Sequence, residues 1–490
     1  MKNIKKLSVI AIIAIMTLNS CTDDNALSPV NQVRISDAIA FETPERAFQQ
    51  VLGMYSGVKT GNFMGGRYFV YQDVRGEEFN NERANLVTNL STWNFLLNSS
   101  TQEVQNLWGA AYLAINRCNI VIDNIGVSPI NATLKTQYIA EAKFLRALSY
   151  FSLVTLYARP YWDGNGNKPG IPLRLSSITS SGNSNLVRSS VDAVYNQIIT
   201  DLNDAEANLP LSYPDPLSTS PNNSSTRAHR NTAIALKTRV LLSKRDYLGV
   251  VNEANKIVSN SGPFMSTTGV IHRLVPSIAT AFAATATTSE NIFSYAFTAL
   301  DAPGTQNWLG FYWSTLNGNS GEYSLLPTSI ISNTGWKATD SRRAFNATVG
   351  TKTYLQTKWS GGAAAVEYMQ AIRYSEVLLN LSEAIVRSTN SIDARAISLL
   401  NAVRQRSDAT TTFTAASFTT VQDLLDQIAI ERRIEFLGEG FRSLDIMRLG
   451  QTFPAKGGVG AVAATNNEYI WPIPQNELLY NKLATQNTGY

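Results

Sequence analysis

The chain holds 490 residues, 44% hydrophobic and 16% charged, with 41 Lys and Arg against 37 Asp and Glu. That hydrophobic share excludes a disordered chain, and the length allows two or three domains or one large helical one. A charged share below the usual roughly 25% points to a surface built from Asn, Ser and Thr.

Residues 1–20 read as a sorting signal. Lys2, Lys5 and Lys6 precede the apolar run Leu7 to Leu18, shorter than the roughly 20 residues of a membrane-spanning helix but suited to a secretory leader. Without those lysines the count is 41 − 3 = 38 basic against 37 acidic. The net charge falls from +4 to +1, so it argues for neither nucleic acid nor anionic lipid as partner. "LNSC" then ends in Cys21 and resembles the lipobox of bacterial lipoproteins, with Asn19 a less usual member. Ordinary signal cleavage beside a chance cysteine is the alternative. With Cys21 acylated, Cys118 has no partner and no disulfide framework exists. Residues 21–40, including "TDDNALSPVNQ", are polar and patternless and read as a tether. Asp23 and Asp24 resemble the surface-export signal of Bacteroidetes lipoproteins.

Residues 41–260 read as helical. Val104, Leu107, Trp108, Ala111, Tyr112 and Ile115 recur at spacings of three and four, as do Ala140, Phe144, Ala147, Leu148 and Phe151. "LWGAAY" looks like part of a loose tetratricopeptide pair. A turn-rich connection from Pro160 through "DGNGNKPGIP" leads to helical segments from Val191 and from Thr232. Ser261 to Val366 lacks a sustained period yet is rich in aromatics, including Tyr295, Trp308, Phe311, Tyr312, Trp313 and Trp336. Such a stretch is a candidate binding surface. Helical patterning resumes over 367–490.

"ERRIEFLGEGFRSLDIMRLG" (Glu431 to Gly450) is the densest charged stretch. Val421, Leu424, Leu425 and Ile428 form an apolar stripe whose extension lands on Glu431, Arg432 and Glu435. These charges are expected in the interior and paired, because an isolated buried ion costs several kcal/mol. Arg442 with Asp445, and Asp445 with Arg448, are spaced to bond along a helix turn. Gly438 and Gly440 are expected to break the helix. Arginine neighbours would hold the carboxylates ionised and deny either the raised pKa of a general acid.

The same stretch resembles the C-terminal signature of the SusD/RagB family of outer-membrane nutrient-binding lipoproteins. Further resemblance lies in "AEAKFLRALSYFSLVTLYARPY", "RYSEVLLNLSEA", "LNAVRQR" and "YIWPIPQNEL", in family order behind the lipobox. It implies a mainly α fold of tetratricopeptide-like helical pairs supporting a loop-rich ligand-binding face. It also implies an oligosaccharide or similar nutrient as ligand, and a SusC-like TonB-dependent porin as partner. "YARPYW" departs from the family's usual turn after Ala158, and no ligand-contacting residue carries over by motif.

Ligand residues are therefore argued from sugar chemistry, which calls for flat aromatic platforms ringed by amides and arginines. Two segments combine them. One holds Trp93, Asn94 and Asn98, downstream of Asp73 and Arg75; the other holds Tyr295, Asn307, Trp308, Tyr312 and Trp313. Packing within the loops is the competing reading of Trp308 and Trp313, and a helix face that of Trp93. His229 and His272, the only histidines, lack ligand spacing, and no nucleotide or nucleophile-elbow motif is present. Asp73, Glu77 and Glu78 could hold calcium, although a solvated acidic loop is the plainer expectation. No catalytic residue, metal or cofactor is assigned. A protein-binding scaffold and a carboxylate-based glycosidase remain as alternatives to nutrient capture.

Overall fold

Residues 39–179, 184–214, 222–283, 288–361 and 367–490 are described in the structure, a computed structural model; the leader, Cys21 and nearly all of the tether lie outside them. Thr43 caps helix α1 (Pro44–Val58), accepting from the Arg46 N–H at 3.2 Å, with Pro44 in the first turn where its missing donor costs nothing. Helix α2 (Arg67–Val74) is followed by two long helices, α3 (Gln102–Asn124) and α4 (Ala132–Tyr157). Their apolar stripes meet: Val104, Leu107, Ala111 and Ile115 of α3 and Phe144, Ala147, Leu148 and Phe151 of α4 are buried. Ser190 caps α5 (Val191–Asn208), and α6 (Arg230–Lys244) and α7 (Tyr247–Ala254) follow. The C-terminal set is α8 (Tyr374–Thr389), α9 (Ala394–Ser407), α10 (Val421–Glu435), α11 (Arg442–Leu449) and α12 (Gln475–Tyr480). From α3 to α9 each of these helices packs on the next in sequence, the near-neighbour stacking of a helical repeat array. The fold is mainly α, as expected.

Short strands thread the stretch read as periodless. β1 (Phe79–Asn81), β3 (Tyr323–Leu325), β5 (Lys352–Leu355) and β4 (Asn346–Val349) form an antiparallel sheet in that order. β2 (Asn291–Tyr295) pairs antiparallel with β6 (Met369–Arg373), and both are buried along their whole length. Strands of three to five residues, some buried on both faces, have no room to show an alternating pattern.

The charged stretch lies inside. Glu431, Arg432 and Glu435 are at most 3% exposed. Arg342 contacts Glu431 at 2.7 Å and Glu435 at 2.8 Å. Arg373 and Arg406 contact Glu435 at 2.8 and 2.6 Å and both also reach Glu290. Lys358 and Arg373 each stand 2.7 Å from Glu439, and Arg342 stands 2.7 Å from Asp340. Arg404 Nη2 lies 2.6 Å from Glu431 Oε2, without the direction of a hydrogen bond. Five cations (Arg342, Lys358, Arg373, Arg404, Arg406) thus face five anions (Glu290, Asp340, Glu431, Glu435, Glu439), so the lattice is neutral. Glu435 is held well below the usual carboxylate range; burial opposes this, but Arg406, Arg373 and Arg342 outweigh it.

Arg432 does not share that lattice. It bonds Asp445 at 2.9 Å and Asn380 at 2.7 Å, and Asp445 also takes Arg448 at 2.8 Å. The expected Asp445–Arg448 pair therefore forms. The expected Arg442–Asp445 pair does not, because Arg442 turns to Glu77 with contacts of 2.9 and 2.6 Å. Gly438 and Gly440, both at φ +80°, carry the chain between α10 and α11. A Cβ on Gly440 would stand 2.8 Å from the Phe69 backbone, so the turn requires glycine there.

The acidic run also differs from expectation. Asp73 and Glu78 are 2% exposed and Glu77 is 9% exposed, so this is no solvated loop. Asp73 accepts from the N–H groups of Gly440, Phe441 and Arg442 at 2.8, 3.1 and 3.2 Å, capping the start of α11. Glu77 and Glu78 pair with Arg433 and Arg442. All three carboxylates are thus already engaged, Asp73 by backbone N–H groups and Glu77 and Glu78 by arginines, and no cluster of metal-ligating side chains occurs among the described residues.

Candidate functional site

The loop face is built around Arg67, the first residue of α2. Its Nε donates to Asn307 Oδ1 at 2.6 Å and its Nη1 to the Val87 carbonyl at 2.8 Å. Asn307 Nδ2 in turn donates to the Pro303 carbonyl at 2.9 Å. Gly66, at φ +154°, lies so close that an added Cβ would meet the Asn307 carbonyl oxygen at 1.7 Å. One arginine and one glycine therefore clamp the 303–308 loop onto the start of α2.

Beneath the clamp lies a stack of rings. Trp313 packs on Phe79 with centroids 4.2 Å apart, and Tyr312 and Trp313 both pack on Tyr323. Trp93 Nε1 donates to the Phe79 carbonyl at 2.9 Å, and the Tyr312 hydroxyl to the Gln306 carbonyl at 2.7 Å. Tyr312 and Trp313 are fully buried, Trp93 is 6% exposed and Tyr295 is 2% exposed. These four expected ligand residues are corrected to core residues: Trp93, Tyr312 and Trp313 pack about β1 and β3, Tyr295 packs on Phe293 within β2, and none offers a face to a ligand. Asp73 and Arg75 are interior too. Arg75 lies 4.6 Å from the Phe453 ring centroid and donates to the Tyr469 carbonyl at 2.6 Å, and burial lowers it to about 10.

Trp308 differs from its neighbours. It stands one residue before the five-residue helix Leu309–Trp313, is half-buried, and packs edge-on against half-buried Phe311 at 5.3 Å. Its Nε1 donates to Asn319 Oδ1 at 2.7 Å, and Asn319 Nδ2 donates to the Gly361 carbonyl at 3.0 Å. The indole is thus fixed at one edge and partly open to solvent. Val87 and Leu86 remain 45% and 68% exposed beside the Arg67 clamp. Asn94 and Asn307 are also half-buried, and Asn98 accepts from the N–H and hydroxyl of Ser100. Of the seven proposed ligand residues, Asn94, Asn307 and Trp308 keep access to solvent. Arg67 and Asn319 carry no mark in the sequence, because nothing local in "GGRYF" or "GNS" distinguishes them; their contacts span up to 240 residues.

General-acid chemistry finds little support here. Burial raises Glu103 to about 7, the direction a general acid requires. Yet Glu103 is 2% exposed and bonds the Thr92 N–H and hydroxyl beneath the ring stack. The two histidines stack at 5.2 Å, both fully buried or nearly so, and burial lowers both.

Sequence comparison matches residues 255–490 to the SusD family and residues 46–242 to a family described as starch-binding and associating with the outer membrane. SusD-like protein P2 of Formosa agariphila is 25% identical, covering 99% of this chain and 100% of its own. Among solved structures, a SusD superfamily protein from Bacteroides fragilis superposes with a TM-score of 0.79 at 29% identity, over 91% of this chain and 100% of that one. A laminarin-binding SusD-like protein superposes with a TM-score of 0.72 at 22% identity, over 92% and 100%. The chain belongs to the SusD/RagB family. That is a family of carbohydrate-binding proteins associated with the outer membrane.

Proposed function

We propose that the protein is a non-catalytic, cell-surface lipoprotein, anchored through acylated Cys21, that captures an oligosaccharide on the loop face and passes it to a SusC-like TonB-dependent porin. The observation that carries the reading is Trp308: an indole held at its N–H by Asn319, partly open, with Asn307 and Arg67 beside it. A sugar ring has an apolar C–H face and a hydroxyl rim, which such an aromatic and amide setting complements. The starch-binding description of the family and the laminarin-binding neighbour favour a neutral glucan. Porin delivery and lipid anchoring rest on the family resemblance and on "LNSC". Two or more acyl chains hold a protein stably where one holds it marginally, each buried methylene contributing about 0.8 kcal/mol.

Calorimetric titration with malto- and laminari-oligosaccharides tests the capture step. A lid that must release its cargo should bind at roughly millimolar to micromolar strength, about −4 to −8 kcal/mol. Trp308→Ala should abolish binding at the loop face. Undiminished binding would move the site elsewhere. Cys21→Ala should shift the protein out of the membrane fraction, and mild-detergent pull-down of the lipidated form should recover a large barrel protein.

A further inference from the structure

On the helical side, away from Trp308, a cleft of about 380 Å³ opens between α3, the segment around Arg174 and α12. That volume lies in the roughly 300–1,000 Å³ range of small-molecule sites. Its floor is one stripe of α3: Gln105, Gly109, Tyr112 and Asn116, at helical spacings of four, three and four. Trp108 stands at the base with its ring centroid 4.8 Å from Tyr112, and Tyr480, 70% exposed, forms part of the opposite wall.

The charges at this cleft cancel. Arg174 Nη2 reaches Glu477 Oε1 at 3.3 Å, and Glu477 also accepts from Asn481 at 2.7 Å and from Trp108 Nε1 at 3.2 Å. Asn116 exchanges two hydrogen bonds with the Ile178 backbone. The Tyr112 hydroxyl donates to the Pro172 carbonyl at 2.7 Å, which holds the ring in place. Aromatic walls, preset amides and no unpaired charge suit a neutral ligand with both apolar faces and hydroxyls; an ion would meet no net charge to neutralise it.

Gly109 is the second observation. It sits inside a long helix, where glycine is unfavourable, and its φ is ordinary. An added Cβ would meet nothing within 4 Å. No packing contact and no backbone conformation requires glycine there. What its missing side chain does is keep the cleft floor low.

We infer that this cleft is a second saccharide site, holding one or two neutral pyranose rings between Tyr112 and Tyr480 while the loop face holds another part of the chain or another molecule. The ligand class rests on the carbohydrate reading of the loop face; the cleft itself does not.

Titration of the purified full-length protein in mild detergent with maltoheptaose and with laminariheptaose tests it. Gly109→Leu is the decisive variant, because leucine fills the cleft while improving the helix, so its melting temperature should not fall. The saccharide count should drop from two per chain to one in Gly109→Leu, and Tyr480→Ala should weaken the same class roughly tenfold or more. Trp308→Ala should remove the other class alone. An isotherm unchanged by Gly109→Leu overturns the inference and leaves the cleft to a protein partner, with the loop-face reading intact. Binding lost in Gly109→Leu but unchanged in Trp308→Ala supports the cleft and overturns the loop face. Binding of neither sugar at millimolar concentration overturns both.

Discussion

The C-terminal helices and the loop face bury opposite kinds of side chain. Between α9, α10 and β6 the interior holds ten charges, each within 3.4 Å of a partner of opposite sign. Under the loop face it holds rings: Phe79, Trp93, Tyr312, Trp313 and Tyr323. The charge lattice is directional and all-or-none, because each ion out of water depends on named partners. The ring stack is apolar and tolerant, and the surface above it can change without stranding a charge. A family whose ligand varies would place variation over the second kind of interior and its shared signature in the first.

The sharpest way to break the comparison is Glu435→Ala. It leaves Arg342, Arg373 and Arg406 facing fewer acids in a buried space, a loss of roughly 3–5 kcal/mol or more. Chemical denaturation should show it, and near-normal stability would mean that water reaches the lattice. Arg432→Ala tests the separate Asp445 cluster and should cost about as much, leaving Asp445 with Arg448 alone. On the aromatic side, Trp313→Ala removes a fully buried ring from Phe79 and Tyr323, which should cost about 3–5 kcal/mol.

The helical stripes of α3, α4 and α10 were legible because a long element repeats its period several times. The burial of Glu431 and Glu435 followed from the same stripe. Their partners did not: Arg342 lies 89 residues from Glu431 and Arg373 lies 62 from Glu435, and spacing reports only local neighbours. That is why Arg442 was read toward Asp445 when Glu77, 365 residues away, holds it. In the loop face the fault was one of direction. Trp308 precedes and Trp313 ends a five-residue helix of little more than one turn, too short for periodicity to separate the inner ring from the outer one. Tertiary contact with β1 and β3 decided it.

A fourth test concerns a buried group that belongs to neither interior. His272 is lowered to about 4 by burial, against about 6.5 in an unfolded chain. As pH falls, the unfolded state takes up its proton first. This contribution to stability is therefore full above about pH 6.5 and lost on the way down to about pH 4, roughly 3 kcal/mol in all. Asp73 and Glu103, both raised to about 7 by burial, run the other way, so the comparison must be between wild type and His272→Gln. The variant's stability should vary less between pH 6.5 and 4. Equal slopes would show that the imidazole is charged or solvated in the fold.

The smallest effect on stability is the most informative for function. Trp308 lies five residues from Trp313, but its ring is partly open and its main polar tie is the single bond to Asn319. Trp308→Ala should lower stability by only about 1 kcal/mol, several-fold less than Trp313→Ala. If a loss as large as that of Trp313→Ala were measured, Trp308 would belong to the same packed stack, and the loop face would have no aromatic platform. A small loss together with abolished loop-face binding of oligosaccharide would separate the two tryptophans by role: one supports the face, and the other receives the sugar.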